Sequence, residues 1–302
     1  MIHFERLQLA RRKEYDRFLH DAQRGCGYSF VNFYIWGRQR AAFVQGYLTV
    51  FSQFDRKAVY PFPVGQGELL PVLDAIIDDA RQRGIPCCIT GMNQADCARL
   101  EQLYPGRFRI YNDRDSYDYV YHIDDLADLK GRKFQRKRNH VNRFYDQHPH
   151  CRLEPLTSAN LEAVQDMANA WYLHRQARDP DGDYHLEQLA LMRALADPEK
   201  LEMDGLVLLE GEKILAFSMA SRLSPDTMDI HFEKARDTVD GAYAAINQAF
   251  AKYLREKYPE IRYLNREDDM GLEGLRKAKL SYNPAFLVEK YWARLWEEED
   301  ET

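Results

Sequence analysis

Cysteine is scarce in this 302-residue chain, and what there is makes no pattern. The five residues, Cys26, Cys87, Cys88, Cys97 and Cys151, include no CxxC spacing, and an odd count cannot close a complete disulfide framework. A reducing, cytoplasmic setting is the expectation. Long apolar runs are missing too. The two uncharged stretches, residues 26–37 and 41–54, fall short of the roughly 18–20 residues a spanning helix needs. Their Phe, Tyr and Val content reads as buried strand, so no membrane segment is expected, and the early charges of the N-terminus argue against a signal peptide. Excess positive charge is also absent. Lys and Arg total 42 against 48 Asp and Glu, a net charge of −6, which excludes a polyanion binder acting through overall charge while leaving room for a local basic patch.

Several familiar chemistries are missing as motifs. There is no P-loop, Gly-x-Ser-x-Gly elbow or HExxH. His148-Pro-His150-Cys151 has no second cluster to complete a metal site. Asp179-Pro-Asp181-Gly182-Asp183 with Glu187 places its glycine and glutamate too early for an EF-hand and reads as a solvated loop. Cys87-Cys88 falls in an apolar run that reads as inert, buried strand. No metal is expected.

What is present is enough apolar material, 45% of residues, for sizeable cores, and a length suited to two domains of about 150 residues. The halves follow one plan. Each opens with a short strand-like piece and a helix, over His3–Leu9 then Lys13–Ala22, and over Cys151–Leu156 then Leu161–His174. Strands follow in both. Phe30–Trp36, Ala41–Phe51 and Lys57–Phe62 are matched by Leu206–Leu209, Ile214–Ser221 and Met228–Phe232. A glycine-bearing loop then leads into an amphipathic helix, after Gly65-Gln-Gly67 in one half and after Asp240-Gly241 in the other. Leu69, Val72, Leu73, Ile76, Ile77 and Ala80 hold the helical period there, as do Ala242, Ala245, Ile246, Ala249, Phe250, Tyr253 and Leu254. Strands over Pro86–Thr90 and Ile261–Leu264, a further helix and an aromatic-proline segment close each copy. The expectation is a mixed α/β chain of two domains, residues 1–148 with a basic linker helix and residues 149–302, joined near His148-Pro149.

This order of elements is similar to that of the GNAT acyltransferase fold. More specifically, the second half resembles soluble proteins related to the C-terminal domain of phosphatidylglycerol lysyltransferases. The resemblance is carried by Leu129-Lys-Gly-Arg-Lys-Phe-Gln-Arg-Lys-Arg-Asn139, His231-Phe-Glu-Lys234, Gly241-Ala-Tyr243 with Ile246-Asn-Gln248, Asn265-Arg-Glu-Asp-Asp-Met-Gly271 and Leu275-Arg-Lys-Ala-Lys-Leu-Ser-Tyr-Asn-Pro284. It implies two tandem GNAT-like acyl-CoA N-acyltransferase domains and an ancestry in acyl or aminoacyl transfer.

Candidate residues follow, each with a plainer alternative. Gly241, Ala242 and Tyr243 stand where GNAT enzymes hold the coenzyme A pyrophosphate on helix N-terminal N–H groups. Asp240 puts a negative charge at that spot, and as a simple helix cap it is the plainer reading. On the helix read over Lys130–Arg143, Arg132, Arg136, Asn139 and Arg143 share a face, and with Arg138 they are candidate donors to phosphates of coenzyme A or tRNA. Phe134, Val141 and Phe144 lie on the other face with Lys137 among them, and a solvated linker helix is the alternative. Asn265-Arg266-Glu267-Asp268 emerges from a strand's C-terminal end, where Glu267 or Asp268 is a candidate general base and Arg266 a substrate clamp or a salt-bridge partner. Glu233 is a second candidate base or a strand-end ion pair. Tyr282 lies where GNAT enzymes carry a proton-donating tyrosine, and Arg276 and Lys279 are placed to clamp an anion together. The function expected is transfer of an acyl or aminoacyl group, from acyl-CoA or aminoacyl-tRNA, to an amine or hydroxyl. The rival is a degenerate pair that binds a phosphorylated ligand or RNA without turnover.

Overall fold

The mixed pattern of the sequence resolves into two sheets and ten α-helices among the residues described by the computed structural model, which are 1–19, 25–54, 57–180, 182 and 184–296. Two compact units divide the chain, one of residues 1–117 with 288–302, the other of residues 118–287.

The first unit's sheet runs β1 (Glu5–Arg6), β2 (Arg38–Val44), β3 (Tyr47–Phe54), β4 (Lys57–Pro61), β6 (Cys88–Met92), β15 (Tyr291–Leu295) and β7 (Phe108–Asn112), with β5 (Val64–Gly65) paired to β3. The second unit's sheet runs β9 (Cys151–Pro155), β10 (Asp204–Glu210), β11 (Lys213–Ser224), β12 (Thr227–Ala235), β13 (Tyr263–Asn265), β8 (Asp118–His122) and β14 (Phe286–Val288). The two orders correspond strand for strand. Each sheet contains a parallel step, β4 with β6 and β12 with β13. Each is followed by an antiparallel strand, β15 against β6 and β8 against β13.

The origin of that sixth strand differs from the expected division at residues 148 and 149. β8 follows β7 in the chain yet belongs to the second unit, while β15, the last strand described, belongs to the first. Each half of the sequence thus ends with a strand used in the sheet of the other half. Repetition in sequence reports the order of elements and not the sheet a strand joins, so the basic helix and the segment before it fall in the second unit.

Two local expectations are also corrected. Residues Phe30–Ile35 form a helix, α2, and not a strand. Ser29 caps it by accepting a hydrogen bond from the Asn32 amide at 3.1 Å. Five of its six residues are buried, and a helix apolar all round carries no amphipathic period to betray it. Residues 41–51 are two strands, because Gln45 and Gly46 both take positive φ, 47° and 84°, and turn β2 back on β3 as a tight hairpin. The helix expected over Lys13–Ala22 is shorter, α1 (Arg12–Asp16) with Arg17 as its C-cap, and residues 20–22 of the expected span lie outside the described residues.

In the second unit the core is built on α9 (Ala242–Lys257), whose apolar stripe meets Met228, Ile230 and Leu264 of the sheet. Helices α5 (Ile123–Asp128) and α6 (Gln135–Gln147) pack against α9, while α7 (Leu161–Arg178) and α8 (His185–Ala196) complete the unit with α10 (Glu273–Leu280).

Candidate functional site

Strands β12 and β13 pair over three residues only, Thr227–Asp229 with Tyr263–Asn265, and then part. A bulge in β12 sits at the same place. Ala220 of β11 faces Ile230 while the preceding Met219 faces Phe232, which leaves His231 as the extra residue. The bulge breaks the two-residue alternation. Ile230 points into the core against α9, and Glu233, three residues on, reaches the same helix by accepting from Asn247 Nδ2 at 3.0 Å. Without the bulge Asp229, His231 and Glu233 would share a face. With it, two clusters form.

The first cluster centres on His231. Its Nε2 lies 2.7 Å from Ser221 Oγ, and its Nδ1 lies 3.3 Å from Glu267 Oε1 and 3.8 Å from Asp229 Oδ2. These contacts follow the order of a serine–histidine–carboxylate triad. Ser221 is wholly buried, however, so no substrate carbonyl reaches its oxygen here. Glu267 adopts φ +55°, unusual for a residue with a side chain. Its conformation is held by Asn265 Oδ1, which accepts from the Glu267 amide at 2.8 Å, and by Lys279, whose ammonium donates to the carbonyls of Arg266, Glu267 and Asp268.

The second cluster surrounds Arg266. Its Nη2 donates to Glu233 Oε1 at 2.8 Å, and both side chains are largely buried, at 13% and 12% exposure. A buried pair of this kind is costly to break, since either charge left alone stays desolvated. Arg266 also lies 5.0 Å from the Tyr282 ring centre and 5.6 Å from that of Tyr121. Its Nη1 is buried and has no hydrogen-bond partner. Lys137 reaches in from α6 to stand 3.8 Å from the Tyr282 ring centre. Burial, and then the charge of Arg266, pull its ammonium down to about 8. Burial pushes the Tyr282 hydroxyl well above its usual range, so it stays protonated at neutral pH.

The other sequence candidates are placed differently. Arg276 is not available to an anion. It holds Asp269 through two hydrogen bonds of 2.8 Å, which keep that carboxylate far below its ordinary value. Lys279 is spent on the loop carbonyls, and Asp268 meets it through its backbone. Asn265 is buried between Asp118 and the Glu267 amide. Gly241 is the N-cap of α9 with φ +79°, but a Cβ there would stand 2.5 Å from the His140 carbonyl of α6, so that helix closes over the loop. Asp240 does not cap α9. It pairs with Arg143 at 2.8 Å. Ala242 is buried, and Tyr243 accepts a hydrogen bond from Trp171 Nε1 at 3.0 Å. On α6 and the turn before it Arg132, Arg136 and Asn139 are exposed, whereas Arg138 donates to the Gly131 carbonyl at 2.7 Å and to that of Leu129. Of the acidic loop, Asp181 and Asp183 lie outside the described residues, and Glu187 accepts from the buried Lys234 at 2.6 Å.

Sequence reading assigned no role to His231, Asp229 or Lys137. The spacing Asp229-x-His231 in a strand was the available signal for the first two. For Lys137 it was a lone cation on the aromatic side of a basic helix.

The two units repeat one mixed α/β architecture in tandem, as a tandem GNAT-like fold requires. The family model for the C-terminal region of phosphatidylglycerol lysyltransferase matches residues 21–294, and the chain belongs to that family. A conserved protein of unknown function from Bacteroides thetaiotaomicron VPI-5482 is similar at 37% identity and a TM-score of 0.90, over 98% of this chain and 100% of that one. L-PGS from Bacillus licheniformis shares the fold at 14% identity and a TM-score of 0.66, over 96% and 93% of the two chains. An uncharacterized protein of Mycoplasmoides gallisepticum, MYCGA3080, is 25% identical over 185 residues, 60% of this chain, and the match spans only 56% of that relative's length. No described helix is long and apolar enough to cross a membrane.

Proposed function

We propose that the second unit transfers an aminoacyl group from aminoacyl-tRNA to an amine or hydroxyl, in the cytoplasm. The observation that carries this reading is α6 itself. It turns Lys137 inward onto the Arg266–Glu233 pair while Arg132, in the turn that leads into it, and Arg136 remain at the surface. One short stretch thus combines cations for a phosphate backbone with a base whose pKa lies near working pH. The closing of α6 over Gly241 supports tRNA over coenzyme A as donor, because a pyrophosphate needs those N–H groups open.

In this reading the neutral Lys137 amine takes the proton of the acceptor as its nitrogen or oxygen attacks the ester carbonyl. The buried Arg266 guanidinium, positioned by Glu233, favours the tetrahedral oxyanion through its charge and not by direct contact. Collapse breaks the ester C–O bond, and Lys137 returns its proton to the departing tRNA hydroxyl. Tyr282 offers its ring to both cations. Glu267 faces His231 and takes no part in the proton transfer.

The test is a transfer assay with radiolabelled aminoacyl-tRNAs. Lysyl-tRNA with phosphatidylglycerol vesicles is the first pair to try, because the family's name carries both, and soluble amines and alcohols follow. Protein-dependent movement of label from tRNA to acceptor is expected, abolished by Lys137→Met with tRNA affinity kept within about twofold. Transfer from acyl-CoA alone would replace the donor. Tight tRNA binding with no deacylation for any charged species would leave the non-catalytic binding role.

A further inference from the structure

We infer that Asp229, His231 and Glu267 form a binding site for one divalent first-row transition cation. The three residues offer one imidazole nitrogen and two carboxylate oxygens that all lie within 4.8 Å of one another. Bonds of about 2.0–2.2 Å at tetrahedral or octahedral angles put neighbouring ligand atoms roughly 3.0–3.5 Å apart. The observed separations from His231 Nδ1, 3.3 Å to Glu267 and 3.8 Å to Asp229, need only a small closing movement to meet that range.

A second observation points to a missing ligand. The His231 side chain is completely shielded from solvent, yet its Nδ1 makes no hydrogen bond, and neither does the buried Glu267 Oε1 beside it. Buried polar atoms without partners are costly, and two of them facing each other at 3.3 Å call for something between or beside them. The other ring nitrogen supplies the reason. In the tautomer whose Nε2–H donates to Ser221 Oγ, Nδ1 carries a lone pair aimed at carboxylate oxygens. A cation turns that repulsion into ligation, and the Ser221 contact then orients the imidazole as outer-shell partners of metal-bound histidines do. One imidazole with two carboxylates suits manganese, iron, cobalt or zinc better than magnesium or calcium, which favour all-oxygen sets. Ser221 and Asp229 are fully buried, and Glu267, 20% exposed at its side chain, is the group of the three that reaches solvent.

The site is separate from Lys137 and does not depend on the transfer reading. The experiment is calorimetric titration of chelator-stripped protein with Mn2+, chosen because it avoids cysteine, and with Co2+, whose visible spectrum reports nitrogen ligation. One ion per chain is expected, with Glu267→Gln and Asp229→Asn each weakening affinity at least tenfold while melting curves stay cooperative. Because His231→Gln removes a buried ring and endangers folding, loss of the Co2+ spectrum in Glu267→Gln serves as the second readout. Absence of saturable binding below about 1 mM, or binding that Glu267→Gln leaves unchanged, would overturn the proposal. Either result leaves the Lys137 assay to decide the transfer reading by itself.

Discussion

At the scale of single residues the chemistry rests on charges taken out of water. Lys137 is the clearest case, since the fold lowers its pKa from 10.5 to about 8 by burial first and the neighbouring Arg266 second. Between those two values the unfolded chain binds more protons than the folded one, so this residue makes stability rise with pH across that window. Below about pH 8 the cost of the buried ammonium is present in full. Lys137→Met is therefore expected to be more stable than the parent at pH 7, with the gain shrinking towards pH 10, as urea unfolding at both ends will measure. An unchanged difference across the window would show that the ammonium is not desolvated. If Lys137 is also the base, turnover follows the same titration, rising through an apparent value near 8 in the parent.

At the scale of elements, two contacts fix α5, α6 and α9 as a group. Gly241 lets α6 come within a distance that no side chain permits, at a φ that disfavours one as well. Gly241→Ala is expected to cost about 1–3 kcal/mol, measured as a fall in denaturation midpoint. The second contact is Arg255 of α9, which donates to Asp124 and Asp128 of α5 at 2.8 and 2.9 Å. Hydrogen bonds from Arg255 and then Lys130 hold the Asp128 carboxyl down to about 2. That stabilisation is complete above the ordinary value of 3.8 and is lost as pH falls towards 2. Being partly exposed, the pair contributes about 1 kcal/mol or less. Arg255→Ala should lower stability by about 1 kcal/mol or less at neutral pH and leave it nearly unchanged near pH 2, so that the acid limb of the stability curve flattens in that window. Elements of this kind were readable in advance where one face alone is apolar, as in α9, and unreadable in α2, where burial on every side erases the period.

At the scale of the whole molecule the exchange of terminal strands decides what can fold. A fragment of residues 149–302 lacks β8, α5 and α6, and leaves β13 without its antiparallel neighbour. It is expected to be unfolded by circular dichroism, whereas residues 118–287 fold. Ending the full chain at Leu287 removes β15 from between β6 and β7. Hydrogen exchange should then show fast amides in those two strands and ordinary protection in β10 to β12. Equal loss of protection in both units would contradict the division.

By itself the sequence determined what depends on near neighbours: the helical stripes of residues 69–80 and 242–254, the strand character of β10 to β12, the repeated order of elements and the basic face of α6. The family resemblance rested partly on those segments and partly on residues 265–271 and 275–284. The tertiary structure decided everything that needs two distant segments to meet. It placed Glu267 beside His231, thirty-six positions earlier, set Lys137 against Tyr282, spent Arg276 and Lys279 on their own loop, and sent β8 and β15 to sheets their position in the chain does not indicate. The reason is physical. Periodicity records which face of an element is buried, while the partner that buries it is selected by packing and hydrogen bonding across the fold.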